Sequence, residues 1–165
     1  MKPVATKPSK MPSSMKMPFL AALSMAAVFA FEGAAQAQAV QAEVLVILAK
    51  EEAGEIDADL QSMAALRRAP FNAFRTMNIV DRKNERLQPG RNRDIRLPNG
   101  RTLRVELQRV MPDGRFRVRV SIDRPEADAY LPLLQVVASP GDPFFVAGQS
   151  HEGGTLVIGV RLGSR

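Results

Sequence analysis

Thr102-Leu-Arg-Val-Glu-Leu-Gln-Arg-Val-Met-Pro-Asp-Gly-Arg-Phe-Arg-Val-Arg-Val-Ser-Ile122 is the stretch whose reading decides the fold. Leu103, Val105 and Leu107 share one parity, as do Val118, Val120 and Ile122, with charged or polar residues between them. A period of two means a strand with one apolar and one wet face, and Met111-Pro-Asp-Gly114 joins two such strands. A four-residue loop sets Val110 opposite Arg115, Leu107 opposite Val118, Val105 opposite Val120 and Leu103 opposite Ile122. The polar pairs are then Gln108 with Arg117 and Glu106 with Arg119, the second an ion pair worth about 0.2–1 kcal/mol. Slipping the register by one residue would put every valine on the wet face.

Upstream, Pro98-Asn99-Gly100 separates Ile95 and Leu97 from Leu103, so a second hairpin shares the central strand. Arg82 to Asn92 is polar, contains Pro89-Gly90 and reads as an exposed loop. Phe71 to Asp81 has mixed parity, suited to a bent or partly covered strand. Ile56, Leu60, Met63, Ala64 and Leu66 recur at near-helical spacing, with Asp57 and Asp59 in the first turn and Pro70 as a stop. Glu43-Val-Leu-Val-Ile-Leu-Ala49 is a continuous β-branched run, which predicts a central strand covered on both faces.

Downstream, Tyr130 to Ser139 and Pro143 to Ala147 flank Pro140-Gly141, a pair that favours the centre of a type II turn. Gly153-Gly154 leads into Thr155 to Leu162, where Gly159 marks a bulge or a close backbone approach. The fold expected is mainly β with some helix (α+β). It is an antiparallel sandwich or partly closed barrel of about 7–8 strands with one short N-terminal amphipathic helix.

The chain opens differently. Lys2, Lys7, Lys10 and Lys16 precede an apolar run from Met17 to Phe31 and two overlapping Ala-x-Ala sites ending at Ala37 and Ala39. These are the three parts of a cleavable export signal, and the run is too interrupted for the roughly 20 apolar residues of a membrane span. The expected organisation is a signal peptide over 1–39 and one domain over 40–165. The mature protein would then be periplasmic or extracellular, with no transmembrane span.

Formal charge changes with that cut. The whole chain carries +6, but residues 40–165 hold 19 Lys and Arg against 16 Asp and Glu. From Arg67 to Arg119 there are 15 basic residues against 5 acids, between two acidic ends. That asymmetry bears on association.

Little in the composition suits catalysis. There is no cysteine, and His151 is the one histidine. It sits in Gly148-Gln-Ser-His-Glu-Gly-Gly154, which reads as an exposed turn, and Ser150 lacks the Gly-x-Ser-x-Gly elbow. Asp57-x-Asp59 begins like a calcium loop, but Gln61, Ser62 and Arg68 occupy the positions that need an acid, a glycine and a glutamate. The expectation is a protein that is not an enzyme and takes no metal or cofactor. An enzyme reading survives only if acids distant in sequence converge.

Arginines make the surface with most chemistry. Arg104, Arg115, Arg117 and Arg119, joined by Arg91, Arg93 and Arg96, form a mainly cationic sheet face suited to carboxylates and phosphates. The plain alternative is the solvated side of a sheet. Nucleic acid is disfavoured by the export leader and by the scarcity of outward-facing aromatics in the basic segment.

Pro70-Phe-x-x-Phe74, Leu97-Pro-Asn-Gly100, Gly114-x-x-x-Val118, Phe144-Phe-Val-Ala-Gly148 and Gly153-Gly-Thr-Leu-Val-Ile158 form a string that resembles small uncharacterised exported bacterial envelope proteins. The resemblance spans most of Val44 to Leu162. It implies an envelope address and a β-rich domain, and it carries no activity, cofactor or catalytic residue. The expected function is therefore a non-enzymatic envelope domain that binds or scaffolds another protein. The alternative is binding of an anionic glycan or lipid through the arginine face.

Overall fold

A computed structural model describes residues 38–124 and 126–163. The export leader expected over 1–39 lies, but for Gln38 and Ala39, outside the described residues. Among those residues eight strands form two antiparallel four-stranded sheets. They are β1 Val40–Lys50, β2 Thr76–Leu87, β3 Asn92–Arg96, β4 Thr102–Val110, β5 Phe116–Arg124, β6 Ala129–Ala138, β7 Phe144–His151 and β8 Gly154–Leu162. One sheet runs β2-β1-β8-β7 and the other β3-β4-β5-β6.

Every ladder joins strands consecutive in sequence, except that β8 returns to β1. The path is thus a meander opened at two seams, β2/β3 and β6/β7, which makes it a sandwich and not a closed barrel. Between the sheets lies the main core. Val44, Val46 and Leu48 of β1 meet Leu103, Val105 and Leu107 of β4 and Val118, Val120 and Ile122 of β5, all buried.

The continuous apolar run Glu43–Ala49 reads correctly as a central strand. β1 pairs with β2 on one side and β8 on the other, and its two faces enter different cores. Leu45, Ile47 and Ala49 point away from the sandwich into a smaller core with Leu60, Leu66, Met77 and Val157. A strand buried on both faces has no wet parity, hence no alternation.

The cover over that second face differs from one continuous amphipathic helix. It consists of a single α-helical turn, α1 Ala58–Gln61, followed by 3-10 turns at Ala64–Arg67 and Phe71–Ala73. Asp57 acts here, although not as a cap on the helix itself. Its backbone N–H donates to Met77 O at 2.9 Å, and its Oδ2 accepts from Ile79 N–H at 2.6 Å, so it ties the cover to β2. A long helix would swing the chain away from this edge.

Two other boundaries move. β2 starts at Thr76, after a 3-10 turn, and continues beyond Asp81 through Arg82-Lys-Asn-Glu-Arg86, which reads as loop from its polarity. The exposed residues of an edge strand need not be apolar on either parity, and β1 supplies the ladder from Val40↔Leu87 to Lys50↔Thr76. The loop shrinks to the turn Gln88–Arg91, closed by Arg91 N–H to Gln88 O at 3.0 Å and tied to β4 by Gly90 N–H to Leu107 O at 2.8 Å.

The β4–β5 register matches over Leu103↔Ile122, Val105↔Val120, Glu106↔Arg119 and Leu107↔Val118. Beyond Leu107 it shifts. A bulge at Gln108 pairs Arg109 with Arg117 and Val110 with Phe116, in place of Gln108 with Arg117 and Val110 with Arg115. The loop is therefore five residues long, closed by Met111 N–H to Arg115 O at 2.7 Å. Gly114, at φ +80, supplies the left-handed conformation that such a loop needs.

Candidate functional site

The outer face of the β3-β4-β5-β6 sheet carries Arg96, Arg104, Arg117 and Arg119, whereas Arg93, opposite the core residue Val105, falls on the other parity at the sheet's edge, a correction to the expected face. Asp94 of β3, Arg104 of β4 and Ser121 of β5 stand in one row. Arg104 grips Asp94 through both forks, Nε to Oδ1 at 2.7 Å and a terminal nitrogen to Oδ2 at 2.8 Å. Tyr130 of β6 lays its ring under the guanidinium, 3.6 Å from its centre, and donates its hydroxyl to Asp94 Oδ2 at 3.2 Å. Carboxylate, guanidinium and phenol thereby close a self-contained unit across the sheet. A bidentate pair stacked on an aromatic ring is a strong form of such contacts, and the guanidinium edge facing Asp94 is already used.

Several other arginines are paired with acids. Arg119 reaches Glu106 at 3.4 Å, Arg115 reaches Asp113 within its own turn at 2.7 Å, and Arg93 crosses the β2/β3 seam to Glu85 at 2.5 Å. Lys83 Nζ donates to Arg96 O at 3.0 Å across that seam, and Arg101 holds Asp123 at 2.9 Å. The sequence-predicted cluster of Arg93, Arg96, Arg104, Arg115, Arg117 and Arg119 is thus spread over three strands and a turn.

One like-charge pair is missed by sequence reading. The Gln108 bulge sets Arg109 directly opposite Arg117, two like charges with no acid bridging them among the described residues. Arg117 Nε is buried with no hydrogen-bond partner there. The signal for Arg109 was absent because an unbulged register puts glutamine at that point.

Three carboxylates on this sheet titrate below the ordinary range. Asp94 is lowered chiefly by the Arg104 hydrogen bond, and Asp113 by that of Arg115. For Asp123 burial pushes upward, but the Thr102 backbone N–H, Arg101 and Arg96 together outweigh it. A carboxylate depressed on folding stabilises the protein above its unfolded value of about 3.9 and loses that contribution as pH falls through the folded value. Urea stability is expected to be flat above about pH 5 and to fall below about pH 4, with a shallower acid limb in Asp94→Asn. An unchanged limb in that variant would deny Asp94 its role.

His151 ends β7 with its side chain 18 % exposed, less open than a free turn residue, and the turn itself is Glu152-Gly153 with both φ positive. Its Nε2 is 3.7 Å from Glu152, a carboxylate 70 % exposed. Among the described residues no three His, Asp or Glu side chains cluster as metal ligands, and no helix is long and apolar enough to cross a membrane.

The two seams differ in chemistry. β2 and β3 present Asp81, Arg82, Lys83, Glu85, Arg86, Arg93, Asp94 and Arg96. β6, Ala129-Tyr-Leu-Pro-Leu-Leu-Gln-Val-Val-Ala138, has no charged residue, and among the described residues its ladder lies on the β5 side alone. Leu131 and Val137 stand exposed on it. Pro132 and a bulge at Leu133 blunt its first half, leaving Leu134–Ala138 regular.

Comparison with protein-family models, with curated proteins and with solved structures finds no match to this chain.

Proposed function

We propose that the protein is an exported, non-enzymatic envelope domain that binds another protein by accepting an extended segment along the free edge of β6. The observation that carries this reading is the ten-residue edge strand without a charge, in a chain where 24 % of residues are charged. Edge strands normally carry charges to discourage pairing, and the β2/β3 seam follows that rule. An incoming strand would take main-chain hydrogen bonds for affinity. Val137 and Leu131 would supply apolar contacts on opposite faces of the strand.

The second reading, recognition of an anionic glycan or lipid head group, is favoured by one observation, the Arg109/Arg117 pair. Like charges placed opposite on a ladder destabilise it, and an anion across both guanidinia would relieve them.

One experiment separates the two. A photo-crosslinking residue at position 137 in intact cells is expected to capture a protein, with Val80 of β2, also exposed, as the control position. Val137→Lys should weaken the recovered complex at least about tenfold, and Arg109→Glu with Arg117→Glu should leave it intact. Loss in the arginine variant alone, with steep salt dependence, would favour the second reading and overturn the first.

A further inference from the structure

β6 leaves the rim of the main core unsealed. Leu134 and Val136 stand opposite the buried Val120 and Val118, yet both are only partly buried, because among the described residues nothing pairs with the far side of their strand. On the outward parity stand Gln135, exposed, and Val137 at 38 % exposure. The neighbouring edge is equally bare of charge. The ten residues of β6 and the eight of β7, the strands that flank the second seam, include no Lys, Arg, Asp or Glu. In a two-fold pair each surface meets the same surface of its copy, so a charged edge repels itself. This one has no charge to repel.

The prolines fix a register for such a pair. Pro132 and Pro140 lie four residues to either side of Val136, and proline has no N–H to give to a ladder. Two β6 strands set antiparallel about Val136 place Pro132 of each copy against Pro140 of the other, so all the prolines fall at the ends. Moving the centre by one or two residues in either direction brings a proline opposite one of residues 134–138. Those five residues are also the regular part of β6 beyond the Leu133 bulge, and Val136 is their midpoint. In this register Val136 meets Val136, Leu134 meets Ala138 and Gln135 meets Val137. The first two contacts complete the burial of the inward side chains, and the ladder adds about four to six main-chain hydrogen bonds.

We infer that, when no partner occupies β6, two copies of this chain pair antiparallel along residues 134–138 about a two-fold at Val136. Two four-stranded sheets then become one of eight. The inference rests on the same edge as the function proposed above and names its occupant in the protein alone: a partner strand must displace the copy. Self-pairing gives β6 the protection that charges give the β2/β3 seam. A contact this small is weak, with a Kd of about 1–100 μM, which leaves the edge open to exchange.

Sedimentation velocity of the purified protein between about 1 and about 200 μM tests this, and the mass is expected to rise from one copy to two across that range. Gln135→Lys with Val137→Lys puts like charges opposite each other in both outward rows and should leave a monomer, as should Glu at both positions. Gln135→Lys with Val137→Glu puts opposite charges in both rows and should keep the dimer. All these changes lie on exposed outward positions, so the core is undisturbed. A protein monomeric at every concentration, a dimer that survives like charges, or one that the Lys/Glu variant also loses would each overturn the inference. A monomer that still yields a crosslinked partner from position 137 would leave the proposed function standing, whereas capture of a second copy alone would support self-pairing and overturn that function.

Discussion

Replacing Val46 with aspartate is expected to abolish the cooperative thermal transition and leave the chain open to limited proteolysis. Val46 is 0 % exposed in the main core, at the point where β1 is flanked by Asp81 of β2 and Ile158 of β8. Its side chain faces the sandwich interior, and no basic residue belongs to that core. An unpaired carboxylate there costs several kcal/mol even after relaxation and water penetration. Domains of this size are stable by about 5–15 kcal/mol in total, so one such change consumes most of the margin. Gln41→Glu, at the exposed start of the same strand, serves as the control and should shift the melting temperature little. A Val46→Asp protein that melts cooperatively within a few degrees of the original would mean that β1 is not central.

How much of this was legible in advance follows from which forces were local. The β4–β5 hairpin was legible because burial on one face and solvent on the other write a period of two into Leu103–Leu107 and Val118–Ile122. β1 was legible by the opposite sign, since burial on both faces erases the period. The second half of β2 was not. Arg82 to Arg86 hold strand geometry because β1 offers a ladder, a tertiary cause that no residue of the segment announces. The cover segment shows the same limit. Its near-helical spacing reports correctly that Leu60 and Leu66 are buried, but the tie between Asp57 and β2 decides that the chain crosses in short turns.

The candidate surfaces divide along the same line. Sequence located Arg104, Arg117 and Arg119 on one sheet face and gave Arg119 its partner Glu106, but not the unit around Arg104, because Asp94 and Tyr130 reach it only when β3 and β6 flank the middle strands. The Arg109/Arg117 pair depended on a one-residue bulge, and bulges leave no pattern when the extra residue is polar like its neighbours. β6 was legible as a strand over Tyr130 to Ser139. That it is an edge is a property of the sheet order alone.

Gly159 was the one position where a single residue announced its contact, and it supports the second large effect. It lies in β8 opposite Phe145 of β7, on the covered face of the sheet. The reading of a bulge or a close approach resolves to the approach. A β-carbon built there would lie 2.7 Å from Phe145 Cε1 and 3.0 Å from Cδ1, so the ring occupies the space that any other residue would claim. The ring also meets Phe71 edge-on, with centroids 5.9 Å apart, and so links β7 to the cover segment. Gly159→Val is therefore expected to cost about 1–3 kcal/mol by overpacking, despite the better strand propensity of valine. Phe145→Ala should cost about 3 kcal/mol, the lower end for a phenylalanine because its ring is only half-buried. Combined, the two should be less damaging than their sum by about 0.5–3 kcal/mol, because the valine then fills the space that the ring vacates. Urea unfolding of the four proteins closes the cycle. Strict additivity would mean that the ring does not pack on Gly159, and that the glycine serves the strand in some other way.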